Sequence, residues 1–237
     1  MNNKEIQRQR MYSYFITACQ DLIKEEGMDQ LTIRKISDKA GYNSATLYNY
    51  FENLDQLKAL SLLDNIKPYF YSIRSLYNMD LNLIDRFLLI WREYAKYSFR
   101  NPQVYTEVFE SSNSDNILSY IDKYFEYFPS DEFSKEDDVY NLVYNRDMKQ
   151  RDKVLLDPEV GAGYISEKQA KYLISGIYAL HIGMCNQVLN GYYDDSDQAL
   201  NLFMNYLIDM FLLNSNVDEN KAELLNRVSS LKLNENM

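Results

Sequence analysis

The chain has 237 residues, of which 46% are apolar and 25% are charged, and its formal net charge at pH 7 is −10. This balance is typical of a globular protein and excludes wholesale disorder. Only 4 prolines and 7 glycines are present. Strands joined by many tight turns would need more of both, so the composition predicts an all-α fold.

The opening residues, MNNKEIQRQR, are polar, and no apolar run follows them. No uninterrupted apolar segment reaches the roughly 18 to 20 residues that cross a bilayer. The sequence therefore predicts a cytoplasmic protein with neither a signal peptide nor a membrane span. Cys19 and Cys185 are far apart in sequence and each lies in a helical pattern, so we interpret both as small buried apolar residues.

The first predicted helix runs from Lys4 to Glu26, and Gly27 can end it because glycine adopts a positive φ without penalty. Apolar residues repeat along it at steps of three and four, which predicts one buried stripe. The stripe consists of Tyr12, Phe15, Cys19, Leu22 and Ile23.

Residues 31–51, LTIRKISDKAGYNSATLYNYF, have the pattern of two short helices joined by a tight turn. Thr32 is a good N-cap for the first helix, whose inward stripe is Ile33, Ile36 and Ala40. Gly41 ends that helix as a residue in the left-handed region would, and Asn43 is a second N-cap. The second helix is predicted over residues 44–51.

In this second helix, Leu47 and Phe51 are one turn apart and point inward, with Tyr48 beside them. The outward residues are Ser44, Ala45, Thr46, Asn49 and Tyr50. A small polar outward face on a second helix is what a helix-turn-helix places in the major groove, which is about 12 Å wide. An ordinary pair of packed helices is the alternative.

The rest of the chain is predicted to be mostly helical. A longer helix begins after Asn53 and is interrupted by Pro68, and residues 80–100 carry one apolar face. Shorter helices are predicted near 102–111, 114–127 and 138–150. Loops are predicted at 128–138, which is acidic, and at 155–164, which holds a proline and two glycines.

Residues 172–185 and 200–213 are apolar around almost the whole helix, apart from a thin polar stripe on the second. A helix of this kind must be buried on more than one side. Either a deep core or a subunit interface would bury it. Gly176, Ala179 and Gly183 form a small-residue stripe that favours close approach by another helix.

These features resemble the DNA-binding domain of the TetR/AcrR family of transcriptional regulators, over about residues 9–66. The resemblance is carried by Gly27, Thr32, Ile33, Ile36, Ala40, Gly41, Asn43, Thr46, Leu47, Tyr48, Tyr50 and Phe51. It implies a helix-turn-helix at about 32–51 in a DNA-binding domain of residues 1–66. A helical ligand-binding and dimerisation domain of residues 67–237 would follow.

The resemblance also implies roles for single residues. Asn43 would cap the recognition helix, and Arg34 would reach a phosphate. Contacts to the DNA backbone would come from Thr32, Thr46, Tyr48 and Tyr50, and contacts to base edges from Ser44, Ala45 and Asn49. The family pattern has a lysine where this chain has Leu54. Lys58, one turn later, would substitute for it.

Charge is divided unevenly along the chain. Residues 1–67 hold nine basic and nine acidic side chains, so the whole net charge of −10 lies in the remaining 170 residues. Electrostatic attraction falls off over about 8 Å at physiological salt, so local charge decides how the N-terminal region meets DNA. A neutral region predicts weak non-specific binding and a modest salt dependence.

The family's last two long helices pair between subunits, which we carry over to residues 166–190 and 196–214. A homodimer joined through about 166–214 would read a palindromic operator on double-stranded DNA with two recognition helices about 34 Å apart. The family also binds small molecules in its C-terminal region. For an apolar or aromatic effector here, the candidate lining residues are Trp91, Tyr94, Phe109, Tyr178 and His181, although core packing explains each equally.

No motif indicates an enzyme, a metal site or a cofactor. The single histidine excludes an HExxH motif, and phosphate-binding glycine loops, GxSxG and paired-cysteine motifs are missing. The leading hypothesis is a homodimeric, ligand-responsive repressor. A family member that activates transcription or organises the chromosome is one alternative. An all-helical ligand-binding or interaction protein that has lost operator binding is another, favoured by Leu54 and the neutral N-terminal region.

Overall fold

The computed structural model describes residues 3–111, 114–128, 139, 142–143 and 148–231, and no strand occurs in this part of the chain. The all-α prediction is therefore confirmed. The helices are Asn3–Glu26 (α1), Ile33–Ala40 (α2), Ser44–Tyr48 (α3), Leu54–Asn65 (α4), Lys67–Tyr77 (α5), Leu83–Arg100 (α6), Pro102–Tyr105 (α7), Ser114–Ser119 (α8), Ile121–Tyr127 (α9), Met148–Gly161 (α10), Glu167–Leu189 (α11), Ser196–Leu213 (α12) and Lys221–Ser230 (α13).

Two compact units account for the described residues. Unit 1 takes its residues from 1–65 and 111–133, and unit 2 from 66–110 and 134–237. The break near residue 66 has a local cause: Ile66 ends the run of α4, and Pro68 occupies the first turn of α5, where a missing N–H costs nothing. Among the described residues, no helix has both the length and the apolarity that crossing a bilayer requires.

In unit 1, α1 packs against α2 and α4. The predicted stripe of α1 is its buried face, and Tyr12, Phe15 and Cys19 are each at most 1% exposed. Phe15 meets Phe51 edge-on, with ring centroids 6.0 Å apart. Burial of these rings fixes the orientation of α2 and α3 on α1.

The short helices α8 and α9 belong to unit 1, where they pack against α4. The Tyr124 hydroxyl donates to Asp64 Oδ1 over 2.6 Å, and the ring of Tyr127 stacks on Tyr12 with centroids 4.0 Å apart. Lys123 Nζ lies 2.5 Å from Glu52 Oε1. Local sequence patterns predicted helix near 114–127 but not this placement beside α1 and α4.

In unit 2, α6 lies at the centre and contacts α5, α7, α10, α11, α12 and α13. Its apolar face is buried as predicted, with Phe87, Leu88 and Trp91 at most 3% exposed. Phe87 packs against Phe211 of α12, with ring centroids 5.6 Å apart. Unit 2 is thus built around α6, an 18-residue helix with buried residues on most of its sides.

One face of α11 and one face of α12 are buried within unit 2, while another face of each stays exposed. Large apolar side chains remain exposed at Tyr172, Ile182, Leu189, Leu202, Tyr206 and Leu213. Gly176 faces α12 of the same chain, because an added Cβ there would lie 2.4 Å from Met210 Cε. Gly183 has open space around it. The predicted small-residue stripe therefore serves internal packing at Gly176.

Two sequence predictions need correction. The loop predicted at 155–164 is confined to residues 162–164, because α10 runs through Pro158 to Gly161. Leu156 and Glu159 are buried at 1% and 2% exposure, and α10 packs on α6, so tertiary packing overrides the proline. The helix predicted over 114–127 is split at Tyr120 into α8 and α9.

Some predicted elements were incomplete or lie outside the described residues. The helix α13 was not predicted, and Asn220 caps it by accepting from the amides of Ala222 and Glu223. The acidic loop at 128–138 and the helix at 138–150 fall mostly outside the described part of the chain.

Candidate DNA-binding surface and ligand cavity

Both predicted caps of α2 are present. Thr32 has an extended backbone, and its hydroxyl accepts the amide of Lys35 over 3.2 Å. Gly41 has φ +81°, in the left-handed region, and its N–H donates to Asp38 O. The Tyr42 N–H donates to Ser37 O over 2.9 Å, which completes the termination. These local bonds turn the chain sharply between α2 and α3.

Asn43 caps α3 as predicted, since its Oδ1 accepts the Thr46 amide over 2.8 Å and the Thr46 hydroxyl over 3.1 Å. The regular helix ends at Tyr48, not at Phe51. The amides of Asn49 and Tyr50 donate to the carbonyls three residues back, which tightens the last turn.

The inward and outward sides of α3 are clearly separated. Leu47 is 0% exposed and Phe51 1%, which confirms the predicted inward pair. Tyr48 does not accompany them, because it is 56% exposed and lies on the outer side with Ala45 and Asn49. Ala45, Tyr48 and Asn49 thus form an accessible face of polar and small residues along α3 and just after its end.

The other predicted outward residues are only half-buried: Ser44, Thr46 and Tyr50. Tyr50 places its ring against Tyr12, edge-on with centroids 5.5 Å apart, and near Phe15. It therefore contributes to the unit 1 core as well as to the surface. Lys58 is also half-buried, one turn into α4.

Basic side chains on α2 have acidic neighbours. Lys35 Nζ lies 2.6 Å from Glu26 Oε2, and Lys39 Nζ lies 2.7 Å from Glu25 Oε1. Arg34 is 89% exposed and lies 3.7 Å from Asp38, a contact too long for a strong ion pair. Of these three cations, Arg34 is the most accessible to a phosphate.

In unit 2, all five predicted ligand candidates come together in one aromatic cluster. Trp91 meets Tyr94 and Tyr178 edge-on, with centroids 5.8 Å and 5.5 Å apart. Tyr94 lies 5.7 Å from Phe109 and 4.7 Å from His181 between ring centroids. Trp91 and Tyr94 belong to α6, Tyr178 and His181 belong to α11, and Phe109 lies in the segment that follows α7.

A cavity of about 680 Å³ adjoins this cluster. Of the five candidates, Phe109 and Tyr178 line it, while the buried rings of Trp91, Tyr94 and His181 are not part of its wall. The remaining wall is formed by Glu110, Leu156, Asp157, Val160, Glu167, Ala170, Lys171, Ile174, Ser175 and Ile182. The α10 contribution was missed because residues 155–164 were interpreted as a loop.

His181 is the hydrogen-bonded core residue that the sequence favoured. It is 0% exposed, its Nε2 lies 2.7 Å from Ser98 Oγ, and its Nδ1 lies 3.2 Å from Glu110 Oε1. Phe99 stacks on the ring with centroids 5.5 Å apart. These contacts hold the His181 ring in place next to Glu110.

Glu110, His181 and Cys185 bring three possible metal-ligand atoms within 4.8 Å of one another. Both imidazole nitrogens already have polar neighbours, as described above. Burial raises the pKa of the Cys185 thiol to about 12. The three groups form a buried polar cluster in which His181 contacts both Glu110 and Cys185.

Comparisons with known proteins agree with this geometry. Residues 15–58 match the sequence profile described as "Bacterial regulatory proteins, tetR family". None of the curated protein sequences matches the chain.

Solved structures of regulators have the same fold. A tetR family transcription regulator from Shewanella sp. PV-4 has 12% identity and a TM-score of 0.57, covering 87% of this chain and 98% of that one. The fatty acid degradation regulator FadR from Bacillus halodurans has 16% identity and a TM-score of 0.56, covering 83% and 93%. RolR, solved in complex with resorcinol, has 16% identity and a TM-score of 0.53, covering 97% and 98%.

The sequence match coincides with the capped α2–α3 pair, and the structural matches extend over most of the chain. The chain is therefore similar to the tetR family in sequence over residues 15–58, and it has the fold of solved tetR family regulators over most of its length.

Proposed function

We propose that this regulator is a homodimeric repressor that binds a palindromic operator and is released from it by a small-molecule effector. In this proposal, residues 1–66 bind DNA and residues 67–237 bind the effector and form the dimer. Because its target is chromosomal DNA, the protein would act in the cytoplasm.

The observation that carries the proposal is the accessible face of the α2–α3 pair. Leu47 and Phe51 anchor α3, which leaves Tyr48 and Asn49 exposed on a short, rigidly capped segment. A second helix held in this way can enter the major groove. The buried side of the α2–α3 pair can keep its packing when α3 enters the groove.

Roles for the exposed residues follow from side-chain chemistry. An asparagine pairs with adenine through two hydrogen bonds, and an alanine methyl packs against the thymine methyl, so we assign base contacts to Asn49, Ala45 and Ser44. Hydroxyl and basic groups suit phosphate oxygens. We assign these backbone contacts to Thr32, Arg34, Thr46, Tyr48, Tyr50 and Lys58, with Asn43 serving as the cap.

A dimer interface would cover the exposed apolar face of α11 and α12. Leu202, Tyr206 and Leu213 lie on one side of α12 at 37%, 46% and 82% exposure. Tyr172 and Ile182 extend the apolar surface onto α11. Exposed apolar side chains grouped in this way usually mark an interaction site. A second copy would bury it by two-fold symmetry.

The effector would occupy the cavity beside Phe109 and Tyr178. RolR, which shares the fold, was solved with the small aromatic molecule resorcinol. The cavity volume of about 680 Å³ lies in the range of small-molecule sites. To release the operator, an effector must bind the released conformation more tightly than the DNA-binding one.

Gel-shift assays with the DNA upstream of the protein's own gene test the proposal. We expect a specific shift that requires an inverted repeat. If no shift appears with that DNA or with a selected random library, the chain is an all-helical ligand-binding or interaction protein that has lost operator binding. The ion pairs on α2 and the apolar Leu54 are the features that favour this second function.

A further inference from the structure

The wall of the cavity carries an excess of negative charge. In the part of the wall that the structure describes, three carboxylates, Glu110, Asp157 and Glu167, accompany one ammonium group, Lys171. Asp157, Glu167 and Lys171 are exposed, whereas Glu110 is inside, with its side chain only 9% exposed. The acidic character therefore extends from the exposed wall to a buried carboxylate.

Glu110 is not satisfied by its surroundings. Its Oε1 is buried, and among the described residues no donor forms a hydrogen bond of good geometry with it. His181 Nδ1 lies 3.2 Å away but outside good hydrogen-bond geometry. A buried carboxylate without a full set of donors carries a desolvation cost that a bound cation would offset.

The rest of the wall suits an apolar body. Phe109, Leu156 and Ile174 supply buried or half-buried apolar surface. The ring of Tyr178 lines the same cavity, and a cation placed over an aromatic face gains further attraction. Such a wall favours molecules that combine hydrophobic bulk with one positive charge.

We propose that the cavity binds amphiphilic organic cations, with Glu110 receiving the positive group and the apolar wall receiving the body. The inference rests on the proposed role of the cavity as the effector site. It goes beyond that role because it names the charge of the effector. Among the described residues of the wall, an anionic effector would have Lys171 alone to pair with and would meet three carboxylates.

Two probes of the same shape and opposite charge test the proposal directly. Tetraphenylphosphonium and tetraphenylborate would each be titrated into the full-length protein by isothermal titration calorimetry, without DNA. We expect the cation to bind about tenfold more tightly or better, since a hydrogen-bonded or paired charge is worth that much. Glu110→Gln should remove this preference, and Glu223→Gln, an exposed change on α13, should leave it intact.

A second variant protects the test against misfolding of Glu110→Gln. Lys171 is exposed, so Lys171→Ala should fold normally and should increase the preference for the cation. Equal binding of the two ions, or a preference that neither variant changes, overturns the proposal. Because no DNA is present, this result is independent of operator binding. A repressor released by a neutral or anionic molecule would keep the proposed function and refute only the charge of the effector.

Discussion

Lys39 and Glu25 form a two-contact ion pair on unit 1, with Nζ 2.7 Å from Oε1 and 2.8 Å from Oε2. The carboxylate raises the pKa of Lys39 and keeps its charge neutralised locally. Lys35 Nζ donates to a single carboxylate oxygen of Glu26, Oε2, over 2.6 Å. Residues 1–67 carry no net charge by count, and on the surface of α2 the charges of Lys35 and Lys39 are also balanced locally by glutamates.

We therefore predict a shallow salt dependence of DNA binding. Each phosphate neutralised by a lysine or arginine contributes a slope of about −0.9 in log K against log salt. With Lys35 and Lys39 paired, the slope should stay well below that of a strongly basic repressor. Fluorescence anisotropy at several salt concentrations measures it. A slope close to ten, which lac repressor shows, would contradict the account.

Removing the acidic partners of Lys35 and Lys39 should strengthen non-specific DNA binding. The double variant Glu25→Gln, Glu26→Gln removes both partners, so we expect tighter non-specific binding and a salt slope steeper by up to about two. Glu223→Gln, which is exposed on α13 of unit 2, is the control for removing one negative charge outside unit 1, and the slopes are compared per charge removed. An unchanged slope in the double variant would mean that neither lysine can reach DNA.

The dimer prediction can be tested on α12. Tyr206→Glu places a charge in the centre of the exposed apolar face without touching the core, so the fold should persist and the dimer should dissociate. Sedimentation velocity should give one subunit for this variant and two for the wild type. An unchanged sedimentation profile would place the interface elsewhere. Glu223→Ala, on α13, should behave as the wild type.

The turn between α2 and α3 should depend on glycine. Gly41 has φ +81°, so Gly41→Ala forces a β-carbon into the left-handed region at a cost of about 1–2 kcal/mol. Chemical denaturation followed by circular dichroism measures the change. Gly161→Ala is the matched control, because Gly161 has an ordinary φ and open space around its Cα. Equal stability of the two variants would show that the turn between α2 and α3 does not require glycine at position 41.

Glu159 should make stability depend on pH. Burial raises its pKa from 4.5 in the unfolded chain to about 7 in the fold, although Arg86 opposes the shift. The folded state therefore holds the proton more tightly, and this contribution to stability is full below pH 4.5 and is lost as pH rises to 7. Between those values the loss is about 1.4 kcal/mol per pH unit at most.

The variant Glu159→Gln isolates this effect. Its free energy of unfolding should fall less than that of the wild type between pH 5 and pH 7, because the glutamine cannot ionise. The comparison cancels all other titrating groups. Parallel pH curves for the two proteins would show that Glu159 is solvated in the folded state.

The features that sequence predicted correctly are set by neighbouring residues. Thr32, Gly41 and Asn43 act within four residues of their own position, so their caps could be inferred from spacing alone. The burial of Leu47 and Phe51 follows in the same way from helical periodicity.

The features that sequence missed depend on distant contacts. Tyr127 stacks on Tyr12, more than a hundred residues away, and no local pattern indicates that partnership. Pro158 lies within a helix because packing on α6 outweighs its local preference. Glu110 becomes a cavity residue only when α10 and α11 form the opposite wall.

Operator binding by full-length variants measured with fluorescence anisotropy tests the central claim most directly. Asn49→Ala and Tyr48→Ala remove exposed groups from α3 without touching its buried side, and Gln30→Ala is an exposed control in the same unit. We predict that Asn49→Ala loses about 1–3 kcal/mol of specific binding, the value of a base contact, and that Tyr48→Ala weakens operator binding through a lost backbone contact, while both variants remain dimers. Wild-type affinity in both α3 variants would contradict the account.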